Sequence, residues 1–105
     1  DGVGFNRNHP LPRDTADDAY LAVLQAALRD IQAYRPDVLI VALGLDASRE
    51  DPLAFLAVTT DGFRRIGGAI GGAGMATLLV QEGGYISDSL GNNLVAALAG
   101  FEAAR

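Results

Sequence analysis

The sequence predicts an α/β fold: a segment of a parallel sheet with flanking helices, containing two strands and three helices. Two apolar runs of strand length occur in the 105 residues. Segments with helical apolar spacing precede, separate and follow these runs. Strands that alternate with helices in this order pair in parallel through right-handed crossovers. Because 50% of the residues are hydrophobic and 20% are charged, we expect a single segment folded around one core.

The first helix follows a polar segment, Asp1 to Asp14, which is interrupted by glycine and proline and is predicted to be a loop. Thr15 is predicted to cap this helix, and the acidic residues after it suit the helix dipole. Pro36 ends the helix, because the residue before a proline avoids the helical region. The apolar positions at helical spacing are Tyr20, Leu24, Ala27, Leu28 and Ile31.

The two strands are predicted at Asp37 to Leu43 and at Ala76 to Val80, both apolar without alternation. Such runs are typical of strands that are covered on both faces. Two parallel strands alone would leave the backbone groups of their outer edges unpaired. We therefore expect a piece of a larger parallel sheet. The alternative is a sheet completed by another chain, as in a homo-oligomer.

The second and third helices are predicted from their caps and their glycines. Thr59 or Thr60 is expected to cap the second helix, and Asp88 or Ser89 the third. The glycines between positions 67 and 74 end the second helix, whereas a dinucleotide-binding fingerprint follows a strand and opens a helix. We therefore assign them to C-capping and close packing. The third helix carries an apolar stripe formed by Leu90, Leu94, Leu98 and Phe101.

Composition argues against several kinds of partner. The net charge is −5 and the eight basic residues, all arginine, are scattered, so no basic stripe indicates nucleic acid or an anionic membrane. No apolar stretch reaches the ~20 residues that span a bilayer. The absence of cysteine excludes disulfides and thiolate metal sites, and it weakly favours a reducing compartment such as the cytoplasm. Without an initiator methionine or a signal-peptide pattern, we expect the interior or tail of a longer protein.

Residues that follow the two strands are the candidates for chemistry. Asp46 comes two residues after Gly44, and Tyr85 comes directly after Gly83 and Gly84. The carboxyl ends of parallel strands meet at one edge, where open α/β sheets bind ligands. From the residues alone, Asp46 is either a turn acid or a metal ligand, and Tyr85 is either a packing residue or a donor to a developing oxyanion. The glycine pair permits unusual backbone angles and leaves space for a substrate beside the main chain.

Three other polar residues could be candidates for a site but are interpreted as having structural or solvated roles. His9 is the only histidine and stands in a proline-braced loop, so a solvated side chain is the expectation. Asp51-Pro52 is typical of turn chemistry. Glu82 is interpreted as a partner of the backbone or of a helix dipole rather than as a second catalytic acid.

The motifs around these residues resemble the zinc-dependent deacetylases, that is, the histone deacetylase and acetylpolyamine amidohydrolase family. The resemblance is carried by Leu43-Gly44-Leu45-Asp46, Asp51-Pro52 and Glu82-Gly83-Gly84-Tyr85, with a helix beginning near Leu90, and by the early run Asn8-His9-Pro10-Leu11-Pro12. In that family an apolar residue commonly stands at the position of His9. Glu82 looks more like the polyamine deacetylases than the nuclear histone deacetylases.

The resemblance implies an arginase/deacetylase-like fold in which this chain is the carboxyl-terminal part of a larger deacetylase domain. It implies that Asp46 is one of two aspartates that, with a histidine, hold a catalytic Zn²⁺, and that Tyr85 polarises the acetyl carbonyl. The substrate would be an acetylated amine, acetyl-lysine or an acetylated polyamine. The remaining zinc ligands and a tandem histidine pair are expected before Asp1, so the isolated chain should be inactive.

Two other functions compete with this interpretation. The first is a non-catalytic α/β module that uses the crevice beside Asp46 and Tyr85 only to bind a ligand or partner. The second is an arginase-like hydrolase with two metal ions, because arginases share the fold. Arginases use an Asp-x-Asp at the corresponding strand end, whereas this chain has Gly44 in the place of the first aspartate. A single metal is therefore favoured.

Overall fold

The computed structural model describes residues 2–105, so Asp1 of the predicted amino-terminal loop lies outside the described part. The chain forms, in order, α1 (Asp17–Tyr34), β1 (Leu39–Gly44), a short 3₁₀ helix (Leu45–Ala47), α2 (Thr60–Gly72), β2 (Thr77–Glu82) and α3 (Leu90–Ala104). The strands pair in parallel, from Leu39 opposite Thr77 to Gly44 opposite Glu82. The predicted α/β segment with two parallel strands and three helices is confirmed.

The three helices share one hydrophobic core with the inner face of the sheet. Phe63 of α2, Leu45 and Val58 are almost completely buried. Leu21 of α1 and Leu43 of β1 belong to the same cluster, and α3 contributes two buried alanines. All of the helical cover therefore lies on one side of the two strands.

The opposite face of the sheet is apolar and uncovered, which corrects the expectation of strands covered on both faces. Ile40 and Leu78 are partners in the strand register, and 67% and 54% of their surfaces are exposed. Val80 is also exposed. The physical reason is that the helices of this chain pack on the other face only. A larger sheet, and other elements of the domain that would cover this face, stay predictions.

The strand ends differ slightly from the predicted ones. β2 continues two residues beyond the apolar run, through Gln81 and Glu82, because its pairing with β1 continues to Gly44. Hydrophobicity does not mark this end, since both polar side chains are exposed. α1 ends before Pro36 as predicted, with Arg35 in the left-handed conformation at φ 57°.

The caps of the helices are partly as predicted. Thr59 caps α2, because its side-chain oxygen accepts a hydrogen bond from the N–H of Gly62 at 3.0 Å. Thr15 does not cap α1: its hydroxyl donates to the carbonyl of Pro12, and Ala16 occupies the cap position. Ser89 stands at the cap position of α3 but forms no side-chain capping bond.

The glycines of α2 bring its backbone against α3, as the close-packing interpretation predicted. A Cβ atom on Gly67 would overlap the carbonyl oxygen of Ala97, and one on Gly71 would overlap that of Phe101. Gly72 ends the helix, and Gly74 follows with φ at +75°. Among residues 2–105, no helix is long and apolar enough to cross a bilayer.

Candidate active site

The parallel register brings the two candidate residues to the same edge of the sheet. Gly44, the last residue of β1, lies opposite Glu82, the last residue of β2. Asp46 follows the first of these by two residues, and Tyr85 follows the second by three. Both segments therefore leave the sheet side by side, at the carboxyl ends of the strands where α/β proteins bind ligands.

The Asp46 carboxylate lies directly against the second of these segments. A Cβ atom placed on Gly83 would be 2.7 Å from Oδ1 of Asp46, closer than real Cβ atoms approach, and 3.0 Å from Oδ2. A Cβ atom on Gly44 would be 2.8 Å from the same Oδ1. The carboxylate thus occupies the space left open by two glycines, one at the end of β1 and one directly after β2.

The oxygens of Asp46 remain available to a ligand. The residue is exposed and stands in the first turn of the 3₁₀ helix. The ion pairs formed within residues 2–105 do not include it; they join Arg7 to Asp30, Arg65 to Asp18, and Arg105 to Glu102. A carboxylate without a cationic partner at this edge of the sheet suits an external cation.

Tyr20 is a neighbour of Asp46 that the sequence analysis assigned only to the apolar stripe of the first helix. Its ring packs against the core. Burial raises the pKa of the Tyr20 phenol, and the negative charge of Asp46 raises it further. Tyr20 therefore stays a neutral phenol at physiological pH, close to the carboxylate.

The glycine pair before Tyr85 has the unusual backbone angles that were predicted. Gly83 and Gly84 have φ values of +58° and +81°. The space beside Gly84 is filled by the protein itself, because a Cβ atom there would lie 2.7 Å from Cβ of Leu45 and 2.8 Å from Cδ1 of Leu90. Internal packing thus already requires glycine at both positions. A substrate-binding role for their backbone stays a prediction.

The Tyr85 side chain is 52% exposed, while its main chain is held by a buried acid. Its N–H donates to Oδ1 of Asp51 at 3.2 Å, and the N–H of Leu53 donates to Oδ2 at 2.9 Å. The turn chemistry expected for Asp51 accounts for the second bond. The first bond joins residues 34 positions apart, and no local pattern indicates it.

A buried asparagine, which the sequence analysis missed, ties the loop after β1 to two helices. Asn93 of α3 is 1% exposed, and its Nδ2 donates to Oγ of Ser48 at 3.2 Å. Its Oδ1 accepts a hydrogen bond from the hydroxyl of Thr60, at the start of α2, at 2.6 Å. Ser48 in turn accepts from the main-chain N–H of Glu50. The segment between Asp46 and Asp51 is therefore fixed by hydrogen bonds that connect it to α3 and α2.

His9 is exposed, as was expected of this loop histidine, and it lies away from this edge. It lines a groove of about 710 Å³ together with Pro36, Val38 and Leu39, at the beginning of β1. Asp46 follows the other end of that strand. His9 and Asp46 therefore lie toward opposite ends of β1.

Residues 2–105 provide one carboxylate, that of Asp46, which could act as a metal ligand, but they do not provide a complete metal site. Within residues 2–105, no group of three or more histidine, cysteine, aspartate or glutamate side chains could hold a metal. A catalytic zinc takes three protein ligands and accepts a carboxylate oxygen among them. Asp46 fits that role because the residue is exposed, and the other ligands of such a zinc would lie outside residues 2–105.

Comparison with known proteins identifies the family. The histone deacetylase domain matches residues 1–101. The chain belongs to the histone deacetylase family.

Several members of this family are similar to the chain over nearly all of its length. The acetylpolyamine amidohydrolase of Burkholderia pseudomallei is 42% identical over 105 residues, which are 100% of this chain and 31% of that protein. Acetylpolyamine amidohydrolase 2 of Pseudomonas aeruginosa is 46% identical over 96% of this chain and 29% of its own length. The crystal structure of the Burkholderia pseudomallei acetylpolyamine aminohydrolase superimposes with a TM-score of 0.93 at 42% identity, covering 99% of this chain and 30% of that one.

The histone deacetylase fold extends to more distant relatives. The HDA15 HD domain matches with a TM-score of 0.73 at 30% identity, over 82% of this chain and 25% of its own. The chain thus spans about three tenths of the length of the acetylpolyamine amidohydrolases that it matches.

The contact between Gly83 and Asp46 predicts a selective effect of one methyl group. If Asp46 is a zinc ligand, as the resemblance implies, Gly83→Ala should displace its carboxylate and weaken zinc binding by the complete protein, because the new Cβ atom would lie 2.7 Å from Oδ1 and 3.0 Å from Oδ2. Gly74→Ala is the matched control: Gly74 also has a positive φ, +75°, but no atom lies within 4 Å of the added Cβ. Both variants carry the same kind of backbone strain.

Zinc titration and thermal melting of the two variants provide the measurement. We expect both to melt at a lower temperature and only Gly83→Ala to bind zinc more weakly. If Gly83→Ala and Gly74→Ala bound zinc with equal affinity, the contact of Gly83 with the Asp46 carboxylate would have no influence on the metal, contrary to this prediction.

Proposed function

We propose that this chain is the carboxyl-terminal part of a larger deacetylase domain, and that the whole is a zinc-dependent amidohydrolase. Its substrate would be an acetylated amine, either acetyl-lysine or an acetylated polyamine. The observation that carries the proposal is the Asp46 carboxylate resting against Gly83, with Tyr85 two residues further along the same loop. Membership of the histone deacetylase family supports hydrolysis of an amide.

Asp46 and Tyr85 would have different roles at this site. Asp46 would supply one oxygen ligand to the zinc, and an aspartate and a histidine outside this chain would supply the others. When bound, the zinc supplies Lewis acidity and an activated water near neutral pH. The Tyr85 phenol would donate a hydrogen bond to the acetyl oxygen as negative charge develops there.

The glycine loop would position the residues of the same site. Side chains at Gly83 and Gly84 would collide with Asp46 and with Leu45 and Leu90, so a contact of these two residues with a substrate would be made by their main chain. The left-handed angles of both residues direct the chain from β2 toward the exposed phenol. The chain by itself would be inactive, because one carboxylate cannot hold zinc firmly.

Sequence identity to the relatives does not separate the two substrate classes. Acetylpolyamine amidohydrolases are 31% to 46% identical to the chain, and histone deacetylase 8 of Arabidopsis thaliana, at 36%, lies within that range. The net charge of −5 is compatible with a cationic amine. Comparing kcat/KM for an N-acetylated diamine and for an acetyl-lysine peptide would separate the two classes. A cytoplasmic location stays a prediction.

Removal of the Asp46 carboxylate should abolish tight metal binding. In the full-length deacetylase, Asp46→Ala should lose stoichiometric zinc and with it the activity, because one of three protein ligands is missing. Asp37→Ala is the control, since Asp37 is an exposed acid just before β1, at the opposite end of the sheet. Metal analysis after gel filtration measures the effect. Undiminished zinc in Asp46→Ala would reject this ligand assignment.

Removal of the Tyr85 hydroxyl should slow the reaction without releasing the metal. Tyr85→Phe in the full-length deacetylase should lower turnover by ~10²–10³-fold, the usual cost of losing one oxyanion donor. Tyr34→Phe removes a hydroxyl from an exposed tyrosine at the end of α1 and should leave turnover unchanged. Steady-state kinetics and zinc content are measured together. Full turnover in Tyr85→Phe would exclude the phenol from the mechanism.

A further inference from the structure

Asp51 is a buried acid that the roles of Asp46 and Tyr85 leave unexplained. Only 6% of its surface is exposed, and it takes part in none of the ion pairs formed within residues 2–105. Its two oxygens accept main-chain hydrogen bonds, one from Leu53 in its own turn and one from Tyr85. A turn needs only the first of these bonds. The second joins the loop after β1 to the loop after β2.

We infer that Asp51 is a positioning residue that sets the location of the Tyr85 phenol by holding the Tyr85 main-chain N–H. This inference rests on the proposed function, in which the phenol donates to the acetyl oxygen. Asp51 itself would touch neither substrate nor metal. Its effect on the reaction would pass through Tyr85.

The loop that carries Tyr85 needs such a support. Residues 83–85 form no regular secondary structure, and two of the three are glycines, the residues with the greatest backbone freedom. Apolar burial does not hold the end of the loop, because Tyr85 and Ile86 are 52% and 93% exposed. A displacement of about 1 Å in a reacting group can cost ~10²-fold in rate. A bond to the Tyr85 main chain therefore acts where the loop is least constrained.

Asp51 can provide a rigid support because its own turn is anchored to the core. The N–H of Asp51 donates to the carbonyl of Ser48 at 3.1 Å. The Ser48 hydroxyl accepts from Asn93, which is 1% exposed and accepts in turn from Thr60. The carboxylate that holds Tyr85 is thus connected through hydrogen bonds to α2 and α3. A hydrogen bond from an N–H to a carboxylate is also stronger than one to a neutral acceptor.

A double-mutant cycle in the full-length deacetylase separates positioning of the phenol from general support of the fold. Asp51→Ala should lower kcat between about tenfold and a hundredfold, with KM little changed and zinc retained. In the Tyr85→Phe background the same change should lower kcat by less than about threefold, because the donor that it misplaces is already absent. Asp51→Asn keeps one acceptor oxygen and should fall between the wild type and Asp51→Ala.

Glu50→Ala is the matched control for charge and location. Glu50 precedes Asp51 in the same loop, and its side chain is exposed. Its removal takes away one negative charge at nearly the same place, and kcat should remain that of the wild type. A drop comparable to that of Asp51→Ala would mean that loop charge, and not the bond to Tyr85, controls the rate.

The outcomes that overturn the inference are distinct from failure of the proposed function. Equal losses of kcat on Asp51→Ala in the wild-type and Tyr85→Phe backgrounds would show that Asp51 does not act through the phenol. Loss of cooperative melting in both the alanine and the asparagine variants would make Asp51 a fold residue and also reject the inference. Absence of deacetylation in the wild-type deacetylase would instead overturn the proposed function, and the role of Asp51 with it.

Discussion

The parallel pairing of β1 with β2 determines where this chain can support chemistry. Because the register ends with Gly44 opposite Glu82, both strands leave the sheet at one edge. The two following segments then contact each other, with the Asp46 carboxylate in the space left by the absent side chain of Gly83. A shift of one residue in the register would place a different pair of residues at this contact. The proposed site therefore depends on strand pairing before it depends on any single side chain.

Buried polar groups, rather than ion pairs, hold the loops at this edge. Asp51 and Asn93 are 6% and 1% exposed, and each hydrogen-bonds to groups on other segments. Within residues 2–105, no buried side-chain nitrogen or oxygen lacks a hydrogen-bond partner. Because an unpaired buried polar group is costly, this arrangement favours one geometry of the loops over the alternatives. Below them, Leu45 is 1% exposed and connects the loop after β1 to the core.

The order of the elements could be predicted from the sequence because apolar periodicity and helix caps are local signals. The prediction that Thr15 caps α1 was wrong, because its hydroxyl donates to the carbonyl of Pro12 instead. Periodicity also could not show that one face of the sheet is uncovered in this chain, since Ile40 would be apolar in either case. Asp46 and Tyr85 could be singled out because glycines and strand ends mark them, whereas their roles were implied by the family resemblance. The bond between Asp51 and Tyr85 spans 34 residues, and sequence spacing carries no signal of it.

The most direct test is whether the complete protein binds zinc at Asp46. A crystal structure with anomalous data collected at the zinc absorption edge would locate the metal without reference to activity. We expect one zinc ion within about 2.0–2.2 Å of an Asp46 carboxylate oxygen. We also expect the Tyr85 hydroxyl to face the same cavity. Zinc bound elsewhere, or a Tyr85 side chain directed away from that cavity with substrate present, would contradict the assignment.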